Sequence, residues 1–144
     1  MTQPPITVRL DPRRLDQLKA IGTAMNLSNA GVISALIREK IAAGVIPANI
    51  PGVVIQKVAD GVSVQMDDGP AKTLSAEGAL ELVETIRGVV AGEPTHAGVS
   101  LKHGFAVERR GTGYYLSIPF PGSKASFPGD LALDLAELIE KAAA

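Results

Sequence analysis

The chain has 144 residues, of which 46% are hydrophobic and 20% are charged, and it contains no cysteine. This length and apolar fraction predict one ordinary globular domain or two small ones. The lack of cysteine excludes disulfide bonds, thiolate metal sites and thiol nucleophiles. The sequence contains neither an apolar run as long as a membrane span nor a secretory signal pattern, so we expect a cytoplasmic protein without membrane contact.

The net charge of -1 hides an uneven distribution along the chain. Residues 1–50 contain six Lys or Arg against three Asp or Glu, which gives +3, and residues 51–144 contain eight against twelve, which gives -4. A basic segment joined to an acidic one is typical of a polyanion-binding unit attached to a domain with another role. Ordinary scatter of charges is the alternative interpretation.

The first predicted element is a strand over residues 6–10. Ile6, Val8 and Leu10 alternate with Thr7 and Arg9, which is the period of a strand with one buried face. A lone strand leaves its backbone N–H and C=O groups unpaired. We therefore expect this strand to pair antiparallel with its own copy in a second chain.

Two predicted helices follow the strand. Asp11 is a typical N-cap and Pro12 suits the first helical turn, so the first helix is expected to run from there to Asn26. Ser28 is expected to cap a second helix that ends at Gly44. A strand with two helices is too short to bury a core alone, which is a second reason to expect a homodimer or a higher homo-oligomer.

The proline-containing segment "VIPANIPG" predicts a semi-rigid linker after the second helix. We expect a first domain over residues 1–46, a linker over 47–52 and a second domain over 53–144. Within the second domain, "VVIQKVADGVSVQMDDGP" aligns with "FAVERRGTGYYLSIPFPG" at a shift of 52 residues. "LSAEGALELVETIR" aligns with "FPGDLALDLAELIE" at a shift of 53. The similarity predicts an internal repeat, with coincidence as the alternative.

The repeat predicts the architecture of the second domain. Each copy, over about 53–91 and 104–144, reads as a β-hairpin followed by a helix. The fold class is therefore α+β, with a duplicated β-β-α unit whose hairpins form one antiparallel sheet and whose helices cover one face. The segment "GVSL" at 98–101 can add a short strand.

The N-terminal segment "ITVRLDPRRLDQLKAIGTAMNLSNAGVISALIREKIAAG" resembles the ribbon-helix-helix domains of the MetJ/Arc/CopG type. The resemblance covers residues 4–44. It implies a dimer whose paired strands enter the major groove of double-stranded DNA with alternate side chains facing the bases. By this resemblance Thr7 and Arg9 read base edges, and Pro5 lies at the entry of the strand. Arginine can donate two hydrogen bonds to guanine.

The same resemblance places a DNA phosphate at the start of the second helix, on Ser28, Asn29 and Ala30, where backbone N–H groups and the helix dipole attract anions. Relatives often carry "SRSE" where this chain has "SNAG", so the basic and the acidic side chains are missing here. Arg13 and Arg14 are either solvated or auxiliary DNA contacts.

The rest of the sequence offers little chemistry. His96 and His103 are expected to be two exposed histidines without a metal, and Asp67 with Asp68 is expected to form a turn. No set of nucleophile, base and orienting group can be assembled, so we expect neither an enzyme nor a cofactor. Tyr115 and Phe120 are expected either in the core or in an exposed patch for a protein partner.

Two functions remain open from the sequence. The first is a sequence-specific DNA-binding homodimer, such as a transcriptional repressor or an accessory factor of a plasmid or mobile element. The second is an interaction protein whose N-terminal unit only dimerises and whose acidic domain binds another protein.

Overall fold

The computed structural model describes residues 6–93 and 97–144. Its contacts divide the chain into a helical unit that ends at Ala48 and a body, Asn49–Ala144. The helical unit contains α1 (Pro12–Met25) and α2 (Asn29–Ala42). In the described part of the chain no single helix is long and apolar enough to span a membrane; α1 and α2 together reach that length and composition, but are bent by 83°.

Both helices begin where the cap residues predict. The Asp11 carboxylate accepts a hydrogen bond from the backbone N–H of Arg13 at 2.8 Å, and the Ser28 hydroxyl accepts one from the N–H of Gly31 at 3.1 Å. Asn26 ends α1 in the left-handed conformation, with φ 58°. These contacts satisfy helix-end groups that otherwise lack partners.

Residues 6–10 do not form the predicted strand in the single chain, which begins its regular structure at α1. Ile6 and Val8 are 83% and 77% exposed, so the predicted core-facing side is not buried either. The physical reason is that a strand needs a hydrogen-bonded neighbour. The pairing of this segment with a second copy stays a prediction.

The body contains two antiparallel sheets and two helices. The first sheet has the order β1-β2-β3 and the second β4-β5-β6-β7. In the first half, the elements are β1 (Val53–Val58), β2 (Gly61–Met66), β3 (Lys72–Leu74) and α3 (Ala76–Ala91). In the second half, they are β4 (Ala97–Ser100), β5 (Phe105–Arg110), β6 (Gly113–Ser117), β7 (Ala125–Pro128) and α4 (Gly129–Ala143).

The prediction of one sheet built from two hairpins was wrong. Each hairpin instead gains its own third strand, β3 or β7, and the two sheets remain separate. These strands have only three and four residues, too few to show an alternating pattern in the sequence. The mixed α+β class is confirmed, and the short strand predicted at 98–101 is confirmed as β4, one residue earlier.

The two halves use the same strand pairing. Val62 pairs with Leu74 in the first sheet, and Tyr114 pairs with Phe127 in the second. These two pairs are related by the shifts of 52 and 53 residues found in the sequence. The predicted turn at Asp67 and Asp68 is also confirmed, with Asp67 at φ 50°.

One hydrophobic core joins both halves of the body. It contains Leu82 and Ile86 of α3 and Leu135 and Ile139 of α4, all fully buried, together with the inward faces of both sheets. The helices run antiparallel: the first residue of α3 and the last residues of α4 line one depression. Each helix packs against strands of both halves. Burial of this shared core holds the halves together.

His103 is not exposed as predicted. Its side chain is 9% exposed, and its Nε2 lies 3.2 Å from a carboxylate oxygen of Glu81. The ring fits against α3 because Gly78 has no side chain: a Cβ there would come within 2.7 Å of Nδ1. The prediction was wrong because the sequence around His103 does not indicate that its ring packs against a glycine elsewhere in the chain. His96 lies outside the described residues.

Candidate nucleic-acid interface

The turn between α1 and α2 is closely packed around Gly22. The backbone N–H of Leu27 donates to the carbonyl oxygen of Gly22 at 2.8 Å. A Cβ at residue 22 would come within 2.6 Å of the Leu27 carbonyl oxygen, closer than two such atoms can approach. The absence of a side chain at this position therefore permits the close approach of the backbone between one helix and the next.

A shallow depression of about 750 Å³ lies at this turn. Its lining residues come from the end of α1 and the start of α2: Lys19, Gly22, Thr23, Asn26, Leu27, Ser28 and Asn29. Ser28 and Asn29, two of the three predicted phosphate-binding residues, line it, whereas Ala30 is not among the lining residues. The first turn of a helix presents backbone N–H groups and a positive dipole end, which favour an anion.

Lys19 brings a cationic side chain to the same depression, and the sequence reasoning missed it. Lys19, Thr23 and Asn26 follow one another at steps of four and three residues, so they share one side of α1. This spacing could have identified Lys19. The Thr23 hydroxyl donates to the Lys19 carbonyl oxygen at 3.1 Å.

The predicted base-reading residues Thr7 and Arg9 are both exposed, and Pro5 lies outside the described residues. The two auxiliary candidates are also exposed and make local contacts. Arg13 lies 3.6 Å from the Asp11 carboxylate, and Arg14 donates to the side chain of Gln17 at 2.9 Å. Such exposed contacts are weak, so both guanidinium groups can reorient toward a ligand.

The helical unit has little core of its own. In its described part, Val32 is the only large apolar side chain that is buried. Many others are at least 36% exposed: Ile6, Val8, Leu10, Ile21, Met25, Leu27, Ile33, Leu36, Ile37, Val45 and Ile46. A unit that buries so little apolar surface does not hold its shape in water unless another surface covers it.

The second sheet of the body carries a polar cluster on its outer side. Of the two alternatives left open for Tyr115, the structure shows a half-buried side chain outside the core, with the charged groups of Arg110 and Lys124 6.0 and 5.8 Å from its ring centre. Lys124 Nζ also binds Glu108 at 2.7 Å. This hydrogen bond holds the pKa of Glu108 below its usual range. Each charged group of this cluster therefore has an oppositely charged partner within it.

In comparisons with known proteins, no family model, no curated protein and no solved structure matched this chain. What the chain does must therefore be argued from its own residues.

Proposed function

We propose that this chain is a homodimeric, sequence-specific DNA-binding protein of the ribbon-helix-helix type. The observation that carries the proposal is the segment of residues 6–10, whose apolar and polar side chains alternate and are all exposed in the single chain. It precedes a helix pair that buries only one large apolar side chain in its described part. A second copy would supply both the missing strand and the missing core.

The proposed DNA contacts follow from this dimer. When the strands of two chains pair, their apolar side chains, Ile6, Val8 and Leu10, would face the helices. Thr7 and Arg9 would then lie on the opposite face, where Arg9 can donate to guanine. The start of α2 and the Lys19 ammonium would meet a backbone phosphate. This division assigns sequence reading to the ribbon and positioning to the helix pair.

We further infer that the body is a tandem duplication that serves oligomerisation or partner binding. The equivalent strand pairs and the equivalent buried positions of α3 and α4 support it. Transcriptional repression and an accessory role on a plasmid or mobile element both fit a dimeric DNA-binding unit joined to such a body.

Selection of binding sites from a random duplex pool tests the proposal. The full chain and Arg9→Ala are selected in parallel at two salt concentrations. We expect an enriched inverted or tandem repeat that loses definition at one base position in the variant. If no sequence is enriched or retained even at low salt, the proposal fails, and the helical unit serves only to dimerise a protein-binding body.

A further inference from the structure

A groove of about 510 Å³ crosses the body between the β2–β3 turn and the loop that joins β6 to β7. Two loops form its walls: Asp67, Asp68, Gly69 and Pro70 on one side, and Pro119, Pro121, Gly122, Ser123 and Lys124 on the other. Its floor is apolar, because Met66, Ile118 and Ala125 are buried beneath it. A groove of this size can hold a small organic ligand.

The groove lies where the two halves of the body meet. Met66 and Ile118 occupy the same position in the two halves, 52 residues apart, and both line the groove. Each half therefore contributes one wall to a single site, which is also why the site cannot be seen in either half alone.

The two walls differ in chemistry. Asp67 and Asp68 stand on the first wall, whereas the shift of 52 places Pro119 and Phe120 at the same positions of the second half. In the described part of the chain neither carboxylate forms an ion pair or accepts a hydrogen bond. Lys124, the one cation among the lining residues, is already bound to Glu108. The groove thus has an anionic side and an apolar side.

The backbone holds Asp67 in place. Its N–H donates to the carbonyl oxygen of Gly52 at 2.7 Å, and its left-handed conformation, with φ 50°, is one that aspartate and asparagine accept more readily than most residues. The turn that carries both carboxylates is therefore anchored to the backbone just before β1.

We propose that this groove binds an organic cation, namely a protonated amine at the end of an aliphatic stem. The ammonium group is held by Asp67 and Asp68, because charge-assisted hydrogen bonds are the strongest that a carboxylate accepts. The stem lies over Met66 and Ile118 and against the proline wall. A free alkylamine and a lysine side chain of a partner share this chemistry. The proposal does not depend on DNA binding.

The test follows the methyl resonances of Met66 and Ile118 in the full chain while n-hexylammonium chloride is added. Sodium hexanoate and hexanol are the anionic and neutral controls of the same length. We expect saturable shifts at both methyl groups with the ammonium ion and none of comparable size with the controls. Equal binding of hexanoate or hexanol, shifts confined to other residues, or no shifts at all would overturn the proposal.

The carboxylates are tested by Asp67→Asn combined with Asp68→Asn, since asparagine accepts the same backbone conformation. We expect the affinity for hexylammonium to fall about tenfold, because the variant removes both negative charges, the half-buried one of Asp67 and the exposed one of Asp68, from the anionic wall. Asp60→Asn, in the turn at the other end of β2, is the matched control and should leave the affinity unchanged. Unchanged affinity in the double variant, with the methyl spectrum of the folded body retained, would overturn the proposal.

A second arm identifies the source of the amine. Nα-acetyl-lysine methylamide presents the lysine side chain without a free α-amino group. Tighter binding of this compound than of hexylammonium would support a lysine of a partner as the occupant, and weaker binding would support a free amine. If both bind equally well, the ammonium and its stem alone account for the affinity, which also supports the proposal.

Discussion

Arg87 and Glu140 bind each other across the two helices of the body, and they occupy the same position in its two halves. Two hydrogen bonds join the guanidinium group to the carboxylate, at 2.9 and 3.1 Å. The residues are 53 apart, the shift that aligns α3 with α4 in the sequence.

The Arg87–Glu140 contact predicts a dependence of stability on pH. Its hydrogen bonds lower the pKa of Glu140 below the usual value near 4.5. A group with a lowered pKa in the folded state contributes stability above its unfolded pKa and loses it as the pH falls through the folded pKa. We expect Glu140→Gln to be less stable than the parent chain at pH 7 and equally stable well below pH 4.5.

Urea unfolding of both proteins across this pH range measures the difference. Glu84→Gln, an exposed glutamate of α3 that forms no ion pair in the described part of the chain, serves as the control and should show no such crossover. Both groups of the pair are exposed, so the effect should be small and should shrink further in high salt. A Glu140→Gln difference that persists unchanged at low pH would contradict the assignment.

Gly61 and Gly113 are equivalent turn positions, but only one of them requires glycine. Gly61 has φ 146°, and a Cβ there would overlap the carbonyl oxygen of Leu74. At Gly113 a Cβ would lie 3.4 Å from the nearest oxygen, that of Phe127. We expect Gly61→Ala to lower the free energy of unfolding by about 2 to 4 kcal/mol and Gly113→Ala to change it by less than about 1 kcal/mol.

Denaturant melts of the two alanine variants give this comparison directly. Because both substitutions remove the same backbone freedom from the unfolded chain, the difference between them reports strain in the folded state. Equal losses for the two variants would mean that the first hairpin does not close as described.

The exposed apolar face of the helical unit predicts a dimer interface. Ile37 is 47% exposed on α2, and Leu80 of the body is 45% exposed on α3. We expect Ile37→Glu to convert the chain to monomers, because a charge at a buried interface is costly. Leu80→Glu, a matched change outside the proposed interface, should leave the dimer intact.

Sedimentation equilibrium measures both variants against the parent chain. The body keeps its own core in either case, so its thermal unfolding should be preserved in the Ile37→Glu monomer. A dimer that survives Ile37→Glu, or one that is lost in Leu80→Glu, would place the interface elsewhere.

Lys19 is predicted to act on DNA through a phosphate rather than a base. Lys19→Ala should weaken binding to all duplexes by a similar factor and reduce the slope of log affinity against log salt by about 0.9 for each phosphate that the lysine neutralises. Lys40, in the last turn of α2, provides the control: Lys40→Ala should leave the slope nearly unchanged. A Lys19→Ala effect that differs between sequences would indicate base contact instead.

The sequence predicts those features of the fold that depend on neighbouring residues, and it misses those that depend on residues far apart in the chain. The caps Asp11 and Ser28 act within three residues of themselves, so the sequence places both helix starts correctly. The hairpin partners of β2 and β6 were predicted, but their second partners were missed, because β3 and β7 are too short to show a pattern. The burial of His103 depends on Gly78, 25 residues away, which no local pattern connects to it.

The candidate sites likewise contain residues that the local sequence indicates and others that only distant contacts bring together. Ser28 and Asn29 could be proposed from a helix start and Lys19 from its spacing on α1, whereas the depression they share depends on the close turn at Gly22, which no local pattern shows. The groove between Asp67 and Pro119 needs two loops 52 residues apart to converge. The role of residues 6–10 depends on a second chain and stays a prediction.

The most direct test of the central claim is a set of dissociation constants for the full chain and Arg9→Ala on the selected duplex and on its single-base variants. We expect the parent chain to discriminate at a guanine in each half-site by about 10- to 100-fold, and Arg9→Ala to lose that discrimination while keeping the others. Equal affinity of the parent chain for every duplex, or an Arg9→Ala loss that is the same for all of them, would contradict base reading by the ribbon.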